Sequence, residues 1–283
     1  NAYNAVHWDG SKWELKRIYH YSSCNPVDYP PFSSIIAFSE KDIVLTSGGS
    51  IGWFNGKTNR TDCGIRPLLT GAINKLWGTS SNDLYAVGDY GNIAHWNGSR
   101  WTKIESGTDV RLTDVWGNIR ENTVYVSGYN VTDGRSLILK IEKGGTTRKI
   151  YEVDRFNPRW DTRKKDTLCG MVSSIWINSK SVLWSATTSG VYRTINFKEK
   201  NIDKLSWEPN YIIGFLERIR GTSYNNIFVC GHFGTLAHWN GNSWKHFTEF
   251  LSWDRGLKLK SLDTKDNLVV IVGDNKIIVG KSN

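Results

Sequence analysis

Three histidines of this chain share one sequence context, and histidine is the side chain best suited to proton transfer or metal binding near neutral pH. His7, His95 and His238 are each followed by Trp, then Asp or Asn, then Gly. A residue that recurs at one place in successive repeats points in a different direction each time, so the three rings cannot converge on one metal or substrate. The pattern therefore predicts structural hydrogen bonding by these histidines.

Carboxylates are the second group with catalytic potential, because a pair of them can hydrolyse a glycosidic bond. Asp114 and Glu217 fall in predicted first strands, among the polar residues expected to line a central channel. Nothing in the sequence fixes their separation, and the chain has neither a phosphate-binding loop nor a metal-binding His/Glu motif. We therefore predict a protein that is not an enzyme, with no catalytic residue, no cofactor and no metal site.

The elements that position these residues are short strands in a repeated order. Ile73 to Trp101 contains three apolar runs separated by turn residues, and Asn97-Gly98 is a hairpin signal before a fourth run. The third run and its hairpin recur around His7 and His238, and more weakly at Ile51 to Gly56. A repeat of about 40 residues with four strands is typical of a β-propeller.

The sequence thus predicts an all-β fold, a β-propeller of four-stranded antiparallel blades forming a single domain over residues 1–283. The first residues supply only a third and a fourth strand. We therefore expect seven blades with the first incomplete in this chain, and six blades as the alternative. The predicted blades begin near residues 1 (partial), 35, 73, 112, 172, 215 and 258.

Net charge and apolar content limit the classes of partner that the sequence predicts. The formal net charge is +9, which fits either a polyanionic partner or lysines scattered over a solvated surface. We predict no nucleic-acid partner and, because there is no run of 18 apolar residues, no membrane-spanning segment.

Cys24 and Cys63 fall in loops of successive repeats, so a disulfide between them is one interpretation, and Cys230 fits a buried apolar position.

Loops that join the second and third strands share one face of a propeller with the long segments between blades. We expect this face to bind the partner, because long loops are usually functional or mobile and aromatic side chains can anchor a protein or stack on a sugar. The longest segment, residues 142–171, also carries a cluster of basic residues. The candidate binding residues are Tyr90, Tyr129, Arg159, Trp160, Arg163, His232, Phe233 and Trp253.

The motif of residues 76–98, which includes Leu76-Trp77-Gly78, Asn82-Asp83-Leu84-Tyr85-Ala86-Val87-Gly88 and Ile93-Ala94-His95-Trp96-Asn97-Gly98, resembles a family of secreted bacterial propeller repeats. The resemblance covers nearly the whole chain, and segment 142–171 departs from it. Proteins of this type are mostly uncharacterised, exported and often lipid-anchored. The resemblance therefore implies a fold and a secreted, periplasmic or outer-surface location, with an upstream lipid anchor as one option, and no activity.

These observations favour a non-enzymatic interaction or assembly module whose partner is another protein or a second copy of the chain. The alternative is a carbohydrate-binding propeller for acidic or neutral glycans, with a glycan-processing enzyme as the least favoured class. The sugar-binding hypothesis expects aromatic rings flanked by amide or carboxylate groups in a pocket. The protein-binding hypothesis expects a broad aromatic and basic patch.

Overall fold

The computed structural model describes most of the chain and divides it into two compact units. Unit 1 comprises Asn1–Val115 and Gly144–Thr147, and unit 2 comprises Trp116–Lys143 and Arg148–Asn283. The predicted single-domain organisation stays a prediction. The described residues are 3–27, 29–118, 120–154, 168, 170–196, 201–205, 215–252 and 256–281.

Two hairpins and two complete sheets make up most of unit 1. The hairpins pair β1 (Ala5–Trp8) with β2 (Trp13–Lys16), and β3 (His20–Ser22) with β4 (Asn25–Val27). The first sheet contains β5 (Ser34–Ser39), β6 (Asp42–Ser47), β7 (Ser50–Phe54) and β8 (Asn59–Asp62). The second contains β9 (Ile73–Ser80), β10 (Asp83–Gly88), β11 (Ile93–Trp96) and β12 (Trp101–Ile104), with a 3-10 turn at Asp89–Gly91.

Four further sheets follow along the chain. The third contains β13 (Leu112–Asn118), β14 (Thr123–Tyr129), β15 (Ser136–Ile141) and β16 (Thr147–Val153). The fourth contains β17 (Val172–Ile177), β18 (Leu183–Thr187), β19 (Gly190–Asn196) and β20 (Asn201–Leu205). The fifth contains β21 (Leu216–Ser223), β22 (Asn226–Gly231), β23 (Leu236–Trp239) and β24 (Trp244–His246), followed by a 3-10 turn at Thr248–Phe250. The sixth contains β25 (Leu259–Lys265), β26 (Leu268–Gly273) and β27 (Lys276–Lys281).

The blade number corrects the seven-bladed expectation to six, the alternative that the sequence left open. Five of the six sheets have four strands and the last has three. The extra copy of the third-strand motif, Ala5–Trp8, pairs with Trp13–Lys16 in a register that places Val6 opposite Leu15. It forms a two-stranded hairpin of its own, which is why the repeat motif overcounted the blades.

Apolar side chains from neighbouring sheets form the core within each unit. In unit 1, Val44 and Ile51 of the first sheet pack with Leu84 and Ala86 of the second. In unit 2, Trp184 of the fourth sheet packs with Val229 and Trp239 of the fifth. The strands of the fourth and fifth sheets are buried on both faces because a sheet of unit 2 lies on either side, so they read as short apolar runs instead of an alternating pattern.

The repeated histidines adopt the predicted structural role in two blades. Nε2 of His95 lies 2.7 Å from Oδ1 of Asp83, and Nε2 of His238 lies 2.8 Å from Oδ1 of Asn226. Each ring also stacks on an aromatic ring of the second strand, with 4.5 Å between the ring centroids of His95 and Tyr85. The prediction is confirmed for these two. His7 differs, because its ring is half exposed and lies 4.0 Å from Glu14.

The structure contains a Cys24–Cys63 disulfide, which was one interpretation of the sequence. Cys24, in the turn between β3 and β4, is bonded to Cys63, directly after β8, with 5.9 Å between their Cα atoms. Cys230 is a free, fully buried thiol, and burial raises its pKa to about 12. The described part of the chain contains no helix long and apolar enough to cross a membrane.

Candidate functional site

Two turns between a second and a third strand have the same backbone hydrogen bonds. In unit 1, Asp89 N donates to Ala72 O at 3.0 Å and Asn92 N donates to Asp89 O at 3.1 Å. In unit 2, His232 N donates to Phe215 O at 2.9 Å and Thr235 N donates to His232 O at 3.0 Å. The turns Asp89–Asn92 and His232–Thr235 are therefore one structure occupied by different side chains.

The second residue of each turn is aromatic and has a left-handed backbone. Tyr90 has φ +57° and Phe233 has φ +56°. This region is uncommon for residues other than glycine, and a bulky residue there is an outlier. Strain of this kind persists where surrounding contacts enforce it, and it is frequent at functional sites. Both residues were predicted from sequence as candidate binding residues.

An aromatic cluster forms around Phe215 in unit 2. The ring centroid of Phe215 lies 5.2 Å from that of Tyr129 and 5.5 Å from that of His232. The Phe233 ring meets His232 edge-on at 6.4 Å. All four residues are partly exposed. We call Tyr129, Phe215, His232 and Phe233, together with Glu217, the aromatic cluster.

Glu217 gives the aromatic cluster its polar contact. Its Oε1 lies 2.8 Å from Nε2 of His232, and both side chains are 26% exposed. Glu217 follows the first residue of β21, next to a register shift between Leu216 and Arg218. A bulge of this kind re-aims side chains at a sheet edge. The result is a half-buried carboxylate beside aromatic rings.

A buried cation, Arg220, stabilises β21, the strand that carries Glu217. Arg220 is 1% exposed, and its Nη1 donates to the carbonyl oxygens of Ile175 and Ile219 at 3.0 and 2.7 Å. Its guanidinium also lies 4.4 Å from the ring centroid of Trp116. Buried arginines need such partners. Arg220 therefore fixes β21, and with it the position of Glu217, against β17.

The unit 1 turn carries different chemistry. Oδ1 of Asp89 accepts from Asn74 Nδ2 at 3.0 Å and from Arg111 Nε at 3.1 Å, and Oδ2 accepts from Ala72 N at 3.1 Å. Burial raises the pKa of Asp89, but these hydrogen bonds outweigh burial and place the pKa below its ordinary value. Asp89 is thus an anion that fixes the guanidinium of Arg111.

A serine and a histidine in unit 1 have the spacing of a hydrolase pair but cannot act as one. Gly48-Gly49-Ser50-Ile51-Gly52 matches a nucleophile-elbow motif, and Ser50 Oγ lies 3.0 Å from His20 Nε2. Asn59 Nδ2, which also donates to Tyr19 O at 2.9 Å, donates to His20 Nδ1 at 3.0 Å. The ring proton is therefore on Nε2, so His20 donates to Ser50 and cannot take its proton.

Burial completes the case against that pair. Both His20 and Ser50 are fully buried, and the Ser50 hydroxyl lies within hydrogen-bond distance of the Tyr21 and Ser47 carbonyl oxygens, either of which can accept its proton. Burial lowers the pKa of His20 to about 4. The two residues join hairpin β3–β4 to the first sheet and offer no access to a substrate.

The structure brings together three of the eight predicted binding residues. Tyr129, His232 and Phe233 meet in the aromatic cluster, while Tyr90 lies in unit 1 and is 66% exposed. Sequence reasoning missed Phe215, which directly precedes β21 at the position that Ala72 occupies before β9. A large aromatic residue at that repeat position was the available signal. The remaining candidates, Arg159, Trp160, Arg163 and Trp253, lie outside the described residues.

The two carboxylates considered for hydrolysis are placed in other roles. Asp114 is fully buried, and Glu217 is hydrogen-bonded to His232. Within the described residues, no group of three or more His, Cys, Asp or Glu side chains is arranged to hold a metal ion.

Comparison with known proteins identifies the fold. No protein-family model and no curated protein sequence matches the chain. A solved structure described as YCF48 bound to D1 peptide matches with a TM-score of 0.67 at 15% identity, covering 99% of this chain and 88% of that chain.

Two further solved structures are of the extracellular domain of BT4673 from B. thetaiotaomicron, described as a putative one component or hybrid two component system. They match with TM-scores of 0.67 and 0.64, each at 15% identity. They cover 93% and 89% of this chain but only 33% and 32% of those chains. Together with the six consecutive sheets, these likenesses show that the chain has the β-propeller fold.

Proposed function

We propose that this protein is a non-enzymatic β-propeller that binds a peptide segment of a partner protein through the aromatic cluster. The observation that carries the proposal is that Tyr129 and His232, which come from separate turns, both pack on Phe215, and that Phe233 packs on His232. Partly exposed aromatic residues at the centre of a contact area supply much of the energy of protein association. The cluster offers partly exposed ring surface and one carboxylate, which suit an apolar side chain flanked by backbone N–H groups.

The matched structures lend support of a general kind. One of them is a propeller described as bound to a peptide, and two are described as extracellular domains. The Cys24–Cys63 disulfide further supports an exported location, because structural disulfides persist in oxidising compartments. The resemblance to secreted propeller repeats agrees with this and stays a prediction.

Selection of peptides tests the proposal. Peptides from a displayed random library are enriched on the oxidised protein, and the affinity of the best one is then measured for Phe233→Ala and Tyr129→Ala. We expect each substitution to weaken binding by about 30-fold, which corresponds to about 2 kcal/mol at a central contact residue. Tyr224→Ala is the matched control, because Tyr224 is 49% exposed and lies in the turn between β21 and β22, at the other end of the same sheet.

A glycan is the second candidate ligand, because the Glu217 carboxylate contacts His232, whose ring lies beside Phe215, and sugar-stacking sites combine aromatic rings with carboxylates. If no peptide is enriched and a glycan-array signal disappears in Phe233→Ala and Tyr129→Ala, the carbohydrate-binding function replaces the peptide-binding one.

Self-association of the protein is measured on the same samples by light scattering. Dimers that dissociate in Phe233→Ala would identify a second copy as the partner.

A further inference from the structure

Four segments of unit 1 meet in a surface that the aromatic cluster does not include. These are the turn Ser22–Cys24, the turn Gly48-Gly49, the segment Cys63–Ala72 and the turn Asp89–Gly91. Gly49 N donates to Ser23 Oγ at 3.0 Å, and Ile73 N donates to Gly48 O at 2.7 Å. We call this surface the glycine rim.

Of the two glycines at the centre of the rim, Gly71 is exposed and Gly49 is buried. A Cβ placed on Gly49 would lie 3.0 Å from the Gly71 carbonyl oxygen and 3.2 Å from Nη1 of Arg66. A Cβ on Gly71 would lie 3.1 Å from the Tyr90 ring, and Gly71 has φ +83°. Arg66, Gly49, Gly71 and Tyr90 are therefore contiguous, and Gly71 presents an exposed backbone beside the guanidinium and the ring.

Arg66 is a cation without an internal counter-ion. Its side chain is exposed, and no ion pair involves it within the described part of unit 1. The nearby carboxylate of Asp62 is already engaged by the Gly64 amide at 2.8 Å and by Trp53 Nε1 at 3.4 Å. Asp89, the carboxylate of the rim, is paired with Arg111 from outside it, so the rim keeps an excess positive charge at Arg66.

The disulfide sets the position of Arg66. Arg66 N donates to the Cys63 carbonyl oxygen at 3.0 Å, and Cys63 is bonded to Cys24. The turn that presents the guanidinium is thus fixed to hairpin β3–β4. A backbone held in this way loses less conformational entropy when the side chain that it carries binds a ligand.

Tyr90 is the second side chain, after Arg66, that the glycine rim presents to a ligand. Its ring is 66% exposed although its backbone is left-handed, so the fold keeps a strained residue whose ring contributes little to the core. An exposed flat ring beside an accessible backbone is suited to pack on an extended peptide.

We propose that the glycine rim binds a carboxylate carried by an extended peptide. The guanidinium of Arg66 takes the carboxylate through two parallel hydrogen bonds, the exposed Gly71 admits the peptide backbone, and Tyr90 packs on the next residue. The carboxylate is either a chain terminus or an Asp or Glu side chain. This site is separate from the aromatic cluster, and it stands or falls independently of the proposed function.

Three N-acetylated probe peptides test the proposal and separate the two sources of carboxylate. They are hexaglutamate amide, hexa-alanine with a free C-terminal carboxylate, and hexa-alanine amide. Each is titrated into the oxidised protein at 0.15 M salt (roughly physiological) while the amide signals of Gly49, Gly71 and Tyr90 are followed by NMR. We expect saturable shifts with at least one carboxylate peptide and none with hexa-alanine amide. The peptide that saturates first identifies the source.

Substitutions locate the site. Arg66→Gln should weaken binding by about 10-fold or more, as expected for loss of a charge-assisted bidentate contact. Tyr90→Ala leaves every charge in place and should weaken binding by a similar factor, because it removes the exposed ring that packs on the peptide. Lys57→Gln is the control, since Lys57 is an exposed cation in the turn between β7 and β8, and it should change affinity by less than about two-fold.

Two results would overturn the proposal. The first is the absence of saturable shifts at all three amides with both carboxylate peptides. The second is equal weakening by Arg66→Gln and Lys57→Gln with no effect of Tyr90→Ala, which would mean that the acidic peptide follows net charge alone. Neither result bears on peptide binding by the aromatic cluster.

Discussion

The turns Asp89–Asn92 and His232–Thr235 share a backbone and differ in charge. In unit 1 the turn presents a carboxylate, Asp89, that holds Arg111. In unit 2 it presents an imidazole, His232, that contacts the carboxylate of Glu217, and Glu217 stands at the strand position of Asn74. The comparison teaches that the repeat conserves hydrogen bonds between main-chain groups and leaves side chains at the turn to determine what each region can bind.

The two regions also differ in how they are secured. The glycine rim depends on a disulfide and on His20, a buried histidine of hairpin β3–β4. The aromatic cluster rests on Arg220 and on apolar contacts between sheets. Conditions that attack the first set of supports should therefore separate the two regions.

Removal of the disulfide should have the largest effect. Cys24→Ser with Cys63→Ser opens a link between residues 39 apart in sequence, and chain-entropy arguments give a loss of about 4 kcal/mol in the free energy of unfolding of unit 1. Urea denaturation followed by hydrogen exchange of segments 20–62 and 216–239 measures it. The difference between the regions would be refuted if both segments lost protection equally. Cys230→Ser serves as the control for loss of a thiol.

Acidification should have the next largest effect, again in unit 1. His20 has a pKa of about 4 in the folded protein and about 6.5 when unfolded, so the folded state favours the neutral ring. Its contribution to stability is complete above pH 6.5 and is lost as the pH falls toward 4. The loss is about 3 kcal/mol at most.

Thermal unfolding measured between pH 7 and pH 4 tests this expectation. His20→Gln should flatten the pH dependence of unit 1, whatever its stability at pH 7. His7→Gln is the control, because His7 is half exposed, and it should leave the slope unchanged. An unchanged slope in His20→Gln would mean that another group governs the acid response.

Ring removal at the two turns compares their binding roles. Phe233→Ala should weaken peptide binding at the aromatic cluster by about 30-fold, whereas Tyr90→Ala should leave that affinity within about two-fold. For the carboxylate probes of the glycine rim, the order of the two substitutions should reverse. Fluorescence anisotropy with the selected peptide and NMR titration with the probes provide the two affinities. One substitution that abolished both activities would show that the regions are not independent.

The smallest expected effect concerns stability at the left-handed residues. Tyr90→Gly should stabilise the protein by about 0.5 kcal/mol, because relief of about 1 kcal/mol of backbone strain is partly offset by the freedom of glycine in the unfolded chain. Phe233→Gly should destabilise it, since that ring packs in the aromatic cluster. Urea midpoints at constant slope decide the sign of each change.

The repeats made the fold predictable, and the blade count was less so. Each blade has its own strand and turn signals, such as Asn97, whose side chain accepts from the Ser99 and Arg100 amides as a hairpin turn requires. A repeat motif reports local pairing only, however. Ala5–Trp8 satisfies the motif equally well in a two-stranded hairpin, so counting motifs gave one blade too many.

The candidate site was predictable in part. Loop position was enough to nominate Tyr129, His232 and Phe233, because strand order alone decides which turns share an edge. Phe215 lies outside the repeat signature, and its role depends on ring contacts at 5.2 and 5.5 Å that no spacing reveals. The glycine rim was missed for a similar reason: Gly49 and Gly71 read as turn residues until their contacts with Arg66 and Tyr90 are known.

The disulfide also changes what a broken backbone would mean for this protein. The loop that it closes runs from Cys24 to Cys63 and contains all four strands of the first sheet, from Ser34 to Asp62. A protease that nicked the chain once anywhere within that loop would leave both fragments covalently joined. In a compartment rich in proteases, the first sheet can therefore be cut without being released, and only a reductant would let the pieces part.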